Sequence, residues 1–120
     1  MNRILVIEDE DLLRENLKEM LELKGHQIIL ANNGKMGVQK AIENNPDLII
    51  CDIMMPEMDG YEVLKHVRHN TDTSEIPFIF LTAKSEASDT RTGMNLGADD
   101  YITKPFLVDD LNKAIQSRLD

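Results

Sequence analysis

The chain has 120 residues, of which 42% are hydrophobic and 29% charged, and its formal net charge is −9. Length and composition predict one globular domain over residues 1–120 with a real core, and they leave no room for a second. The acidic balance argues against direct nucleic-acid binding, which leans on Lys and Arg contacts to phosphate. No apolar run reaches the roughly 20 residues of a membrane span, and the start, Arg3 to Ile7 followed by Glu8-Asp9-Glu10-Asp11, is too short in apolar residues for a signal peptide. A single cysteine, Cys51, allows no internal disulfide and reads as a buried, inert thiol in a reducing compartment. The expected location is cytoplasmic.

In chain order, short apolar runs alternate with helical patterns. Ile4 to Ile7 is the first run, and Leu13, Leu17, Met20 and Leu21 then fall on one helical face, with Gly25 as a stop. Ile28 to Leu30 follows, then a stripe of Val38, Ala41 and Ile42 ended by Asn44-Asn45-Pro46. Leu48 to Cys51 leads to a helix entered through Asp59-Gly60, with Val63, Leu64 and Val67 on its face. Phe78 to Leu81 precedes a helix over Ser85 to Asn95, with a thin stripe of Ala87, Thr90 and Met94 and an interior Gly93. Tyr101-Ile102, weaker, takes its place from the rhythm, and Leu111, Ala114 and Ile115 mark the last helix. Runs this short, Ile- and Val-rich and without alternation, are strands buried on both faces. Five strand–helix alternations predict an open parallel sheet with five helices covering it.

In such a sheet ligands bind beyond the carboxyl ends of the strands. Glu8 and Asp9 follow the first run, Asp52 the third, Thr82 the fourth, and Thr103-Lys104 the fifth. Three carboxylates, a hydroxyl and an ammonium thus converge on one edge. The carboxylates repel each other, so the site needs counter-charge from Lys104 and a divalent cation. Hard oxygen donors suit Mg²⁺, which commonly bridges to phosphate, and the expected chemistry is in-line phosphoryl transfer onto Asp52. Each acidic residue alone would read as a helix cap or a solvated group; the joint placement at four strand ends carries the argument.

At Ile7-Glu8-Asp9-Glu10, Asp52 to Gly60, Leu81-Thr82-Ala83 and Gly97 to Phe106 the chain resembles the receiver domains of two-component response regulators, over essentially its whole length. The resemblance implies a flavodoxin-like, doubly wound sheet of order 2-1-3-4-5. It implies Asp52 as phosphoacceptor from a phosphohistidine of a histidine kinase or phosphotransfer protein, with Mg²⁺ (or Mn²⁺) held by Asp9, Asp52, the Met54 backbone carbonyl and Glu8. It further implies Lys104 on a phosphoryl oxygen, a cis Lys104-Pro105 peptide, and a switch in which Thr82 moves to the phosphate and Tyr101 swings inward. The face formed by the fourth helix, fifth strand and fifth helix would signal to an output domain or partner. Such a domain speeds its own phosphorylation and slow dephosphorylation without being a turnover enzyme. Glu8 stands where Asp is more frequent. Met54 and Lys84, two residues after Asp52 and Thr82, are expected to shield the acyl phosphate from water.

Other features read blandly. His66 and His69 lie on a helix with no third ligand and form a solvated face. His26 sits in a turn, and Met54, Met55 and Met58 cover the loop after Asp52 rather than bind a hard cation. A flavin carrier would need glycine and hydroxyls where Glu8 to Asp11 stand. An aspartyl-phosphate phosphatase would carry an acid at Met54, and a pseudo-receiver would lack part of the site. Kinase, stimulus, output and dimerisation on phosphorylation are not legible.

Overall fold

The computed structural model describes residues 2–84 and 86–119. Strands β1 (Arg3–Ile7), β2 (Gln27–Ala31), β3 (Leu48–Cys51), β4 (Phe78–Thr82) and β5 (Asp100–Thr103) alternate with helices α1 (Asp11–Leu23), α2 (Gly34–Asn44), α3 (Gly60–His69), α4 (Ala87–Asn95) and α5 (Val108–Gln116). All pairings are parallel and the order is β2-β1-β3-β4-β5. The expected fold class is therefore observed.

Side-chain alternation along each strand divides the core in two. Leu5, Ile7, Ile49, Cys51, Phe78 and Phe80 pack with Ala41, Val63, Leu64 and Val67 of α2 and α3. Ile4, Val6, Leu48, Ile50, Ile79 and Leu81 face the other way, onto Leu17 and Leu21 of α1 and Leu111, Ala114 and Ile115 of α5. Both faces of β1, β3 and β4 are thus dry, which is why their sequences are continuous apolar runs.

Two stripes differ from expectation. In α2 the buried positions are Gly34, Gly37 and Ala41, while Ile42 is 44% exposed. The reason is close approach: a Cβ on Gly37 would stand 2.5 Å from the Ile7 side chain, so the helix packs on its glycines. In α4 only Gly93 is buried, Ala87 is exposed and Met94 is 42% exposed. A Cβ at Gly93 would lie 3.1 Å from Phe80 and Tyr101, so this helix too touches the sheet through its glycine. The expected start of that helix at Ser85 lies outside the described residues. Thr82, expected just after β4, is its last residue.

Local devices hold the loops. Gly25, at φ +92°, ends α1 in the left-handed conformation glycine favours. Arg68 of α3 donates to the carbonyls of Ser74, Ile76 and Gly97 (3.2, 2.7 and 3.0 Å) and pairs with Asp99 at 3.2 Å, tying the turns on either side of β4 and α4. Between β3 and α3, the Met58 N–H donates to the Pro56 carbonyl at 2.8 Å across Glu57, which has φ +69°. A non-glycine residue there stores strain of about 1–3 kcal/mol. Glycine relieves it at an entropic cost of about 0.5–1 kcal/mol. Glu57→Gly is therefore expected to raise unfolding free energy by about 1 kcal/mol in urea titrations; a lower midpoint would show that the turn is unstrained.

Candidate functional site

The strand ladders extend one residue beyond the strands and deliver the polar groups. The Glu8 N–H donates to the Ala31 carbonyl (3.1 Å), that of Asp52 to Ile7 (3.0 Å), and that of Lys104 to Thr82 (2.8 Å). Each of these residues is fixed by backbone pairing at the carboxyl edge of the sheet, where the chain leaves the core and polar side chains are first tolerated. On the far side of Asp52, α3 begins hard against the loop. Gly60 donates to the Ile53 carbonyl at 2.9 Å, and a Cβ there would collide with the Asp52 carbonyl oxygen. A capping box completes the turn: Asp59 Oδ1 accepts from Glu62 N (2.9 Å) and Glu62 Oε1 accepts from Asp59 N (3.2 Å).

The structure brings the acidic residues together. Carboxylate oxygens of Glu8, Asp9 and Asp52 lie within 4.8 Å of one another, the only such metal-competent group among the described residues. Glu8 and Asp52 are buried, at 2% and 6% exposure, while Asp9 is exposed. Lys104 Nζ donates to Asp52 Oδ2 at 2.9 Å and to Glu8 Oε1 at 3.1 Å. The remaining oxygens of the pair take backbone donors: Glu8 Oε2 from Glu10 N (3.1 Å) and Asp52 Oδ1 from Met54 N (3.2 Å).

Charge in this site is out of balance, three carboxylates against one ammonium. Burial, reinforced by the charge of Asp52, pushes the Glu8 carboxyl up to about 7, although Glu10 N–H and Lys104 pull the other way. For Lys104, burial alone would lower the pKa, but the hydrogen bond and charge of Asp52, with those of Glu8, raise it instead. An ion of charge +2 would bring the ionised cluster to neutrality. The donor set, hard oxygens from one exposed and two buried carboxylates, fits Mg²⁺ and gives it a solvent-facing side.

Thr82 is fully buried, and its Oγ1 accepts from Lys84 N at 3.3 Å. Tyr101 is half-buried: its hydroxyl donates to the Lys84 carbonyl at 2.8 Å and its ring meets Phe80 edge-on, with centroids 5.8 Å apart. Lys84 Nζ lies 3.6 Å from Asp89 Oδ1 on α4. Met54 is 57% exposed, whereas Met55 is buried at 7%. The Lys104–Pro105 peptide is cis. His66 and His69 stay exposed on α3, and His69 Nδ1 sits 2.7 Å from the Lys65 carbonyl, the partner of an ordinary helical side chain. The thiol of Cys51 is buried, and burial pushes its pKa well above the ordinary value. Tyr61 and Arg68 were not singled out by pattern. Neither carries a periodic signal, and their partners Asp89, Gly97 and Asp99 are distant in sequence.

A family model, the response regulator receiver domain, matches residues 4–116. The response regulator ArlR of Staphylococcus saprophyticus is 39% identical over 119 residues, covering 99% of this chain and 53% of its own. The transcriptional regulatory protein DltR of Streptococcus agalactiae is 45% identical over 116 residues, covering 97% of this chain and 51% of its own. The chain spans about half the length of the curated relatives it matches. Among solved structures, chemotaxis protein CheY4 of Vibrio cholerae superposes with a TM-score of 0.93 at 29% identity, covering 99% of both chains. The receiver domain of sensor histidine kinase PA1611 from Pseudomonas aeruginosa PAO1, whose structure has a magnesium ion coordinated in the active site cleft, does so with a TM-score of 0.91 at 28% identity, covering 98% of this chain and 97% of that one. On the family match, the fold and the acidic cluster at its strand ends, this chain belongs to the response regulator receiver domains.

Proposed function

We propose that residues 1–120 form one receiver domain that takes a phosphoryl group onto Asp52 from a phosphohistidine of a histidine kinase or phosphotransfer protein. The observation that carries this reading is Lys104 Nζ, which bridges Asp52 and Glu8 beside the Glu8–Asp9–Asp52 carboxylate group. An Asp52 carboxylate oxygen attacks phosphorus in line, and the electron pair of the breaking P–N bond returns to the donor imidazole. Lys104, already within hydrogen-bond distance of Asp52, is placed to neutralise charge building on the transferring oxygens. Glu8, Asp9, Asp52 and the Met54 carbonyl would hold Mg²⁺ (or Mn²⁺), which supplies positive charge to carboxylates and phosphoryl oxygens alike.

The hydroxyl of Thr82, whose carbonyl accepts from the Lys104 N–H, is the group that reaches for the new phosphoryl oxygens. Tyr101 then swings inward into the space Thr82 vacates, so that the α4–β5–α5 face differs between the two states and signals to an output domain or partner. This chemistry is slow self-modification, in the cytoplasm, rather than turnover of a released product. Incubation with acetyl phosphate, with and without Mg²⁺, followed by intact-mass analysis tests the proposal. One phosphoryl group should appear only with Mg²⁺; no mass gain from any donor would end it.

Met54 and Lys84 stand two residues after Asp52 and Thr82, and they are expected to slow attack of water on the acyl phosphate. Lys84→Ala should shorten the phosphorylated lifetime severalfold, followed by mass or radiolabel decay. Equal or slower decay would remove this role.

A further inference from the structure

Helix α4 is lightly held. Its N-cap residue, Glu86, makes no side-chain capping bond, and Gly93 is its one buried residue among those described. Two phenols meet its leading end. The Tyr101 hydroxyl donates to the Lys84 carbonyl at 2.8 Å, and the Tyr61 hydroxyl donates to the Asp89 carbonyl, in the first turn of α4, at 3.2 Å. Both rings rest edge-on against Phe80, with centroids 5.8 and 5.6 Å from it. Burial raises both phenol pKa values, so both hydroxyls keep their protons at neutral pH.

The two tethers come from different places. Tyr101 stands on β5, paired with Phe80 in the sheet. Tyr61 follows Gly60, the residue pressed against the Asp52 backbone and bonded to the Ile53 carbonyl at 2.9 Å. A shift of the loop after Asp52 is thus carried into the Tyr61 hydroxyl without passing through Thr82, and the Tyr61 and Tyr101 hydroxyls also interact with each other. At 3.2 Å this bond is longer than the usual 2.7–2.8 Å for hydroxyl donors. A displacement of a few tenths of an ångström either tightens it or breaks it.

We infer that Tyr61 is a positioning residue that couples the loop following Asp52 to the first turn of α4, a second line to the output face beside Tyr101. Its signalling consequence rests on the reading of Asp52 as phosphoacceptor; the tether itself exists in the unphosphorylated protein.

Tyr61→Phe keeps the ring on Phe80 and removes only the hydroxyl. Residue-resolved amide hydrogen exchange should show α4 exchanging about fivefold faster, the effect of one net hydrogen bond, with α1 and α5 unchanged. After Mg²⁺ and acetyl phosphate the variant should still gain one phosphoryl group, while the change in α4 protection on phosphorylation becomes smaller than in wild type. The chain has two tyrosines and no tryptophan, so ¹⁹F NMR of 3-fluorotyrosine-labelled variant reports Tyr101 alone. Its resonance should shift less on phosphorylation than in wild type. Wild-type exchange in α4 in both states, or acceleration spread equally over α1, α4 and α5, would overturn the proposal. Should neither protein take up phosphoryl, the phosphoacceptor reading fails, and exchange in the untreated proteins still decides the tether.

Discussion

Lys104→Ala is expected to destabilise the metal-free protein by on the order of 3 kcal/mol at pH 8 and to slow phosphoryl uptake by about 10²–10³-fold. The stability loss follows from what the ammonium touches. It bonds two buried carboxylates, Asp52 at 2.9 Å and Glu8 at 3.1 Å, and its removal leaves both without their cation. At pH 5 Glu8 takes a proton, the repulsion with Asp52 fades, and the same substitution should cost less. Saturating Mg²⁺ should restore much of the loss at pH 8, because it supplies charge to the same oxygens. It should not restore the rate, since a bound cation does not replace an ammonium donor placed for the transferring oxygens. Urea unfolding at the two pH values, with and without Mg²⁺, reads the first effect, and the time course of mass gain reads the second. A variant as stable as wild type at pH 8 would show that Lys104 does not balance the cluster.

The second large effect is a pH dependence of the metal-free wild type. Burial and Asp52 raise the Glu8 carboxyl from 4.5 to about 7. The folded state therefore holds that proton more tightly than the unfolded chain, and stability falls as pH rises between these values. The change is up to about 3 kcal/mol at 1.36 kcal/mol per pH unit. It levels off above pH 7, where Glu8 is ionised in both states, while Lys104, with its pKa raised, stays charged throughout that window. Mg²⁺ binds the ionised cluster, so the slope should flatten or reverse when the cation is present. Glu8→Gln should flatten it without metal. Thermal unfolding from pH 4.5 to 8, with EDTA or Mg²⁺, measures both; a metal-free protein that gains stability across this range would refute the assignment.

Much of this was legible in sequence because burial on both faces leaves a plain mark. Ile4 to Ile7, Leu48 to Cys51 and Phe78 to Leu81 have no alternation, and each proved to be a central strand. The edge strand β5 was faint because all four of its residues are only half-buried. The first polar residue after each strand was also readable, which is how Glu8, Asp9, Asp52 and Lys104 were placed together. Where helices approach the sheet through glycine, apolar periodicity misleads. The stripe of Ala87, Thr90 and Met94 and the position of Ile42 were read as packing faces, while Gly93 and Gly37 make the contacts. The particular hydrogen bonds between distant residues left no mark. Nothing local in sequence says that Lys104 bonds Glu8, 96 residues away, as well as Asp52, or that Tyr61 reaches Asp89.

Locating the transferred group tests the central claim most directly. Borohydride reduces an aspartyl phosphate to homoserine, so protein treated with Mg²⁺ and acetyl phosphate, reduced, digested and sequenced by tandem mass spectrometry should carry homoserine at position 52 and nowhere else. Homoserine at another aspartate, the corresponding reduced alcohol at a glutamate, or a phosphoryl group that survives on a side chain other than Asp52, would contradict the account.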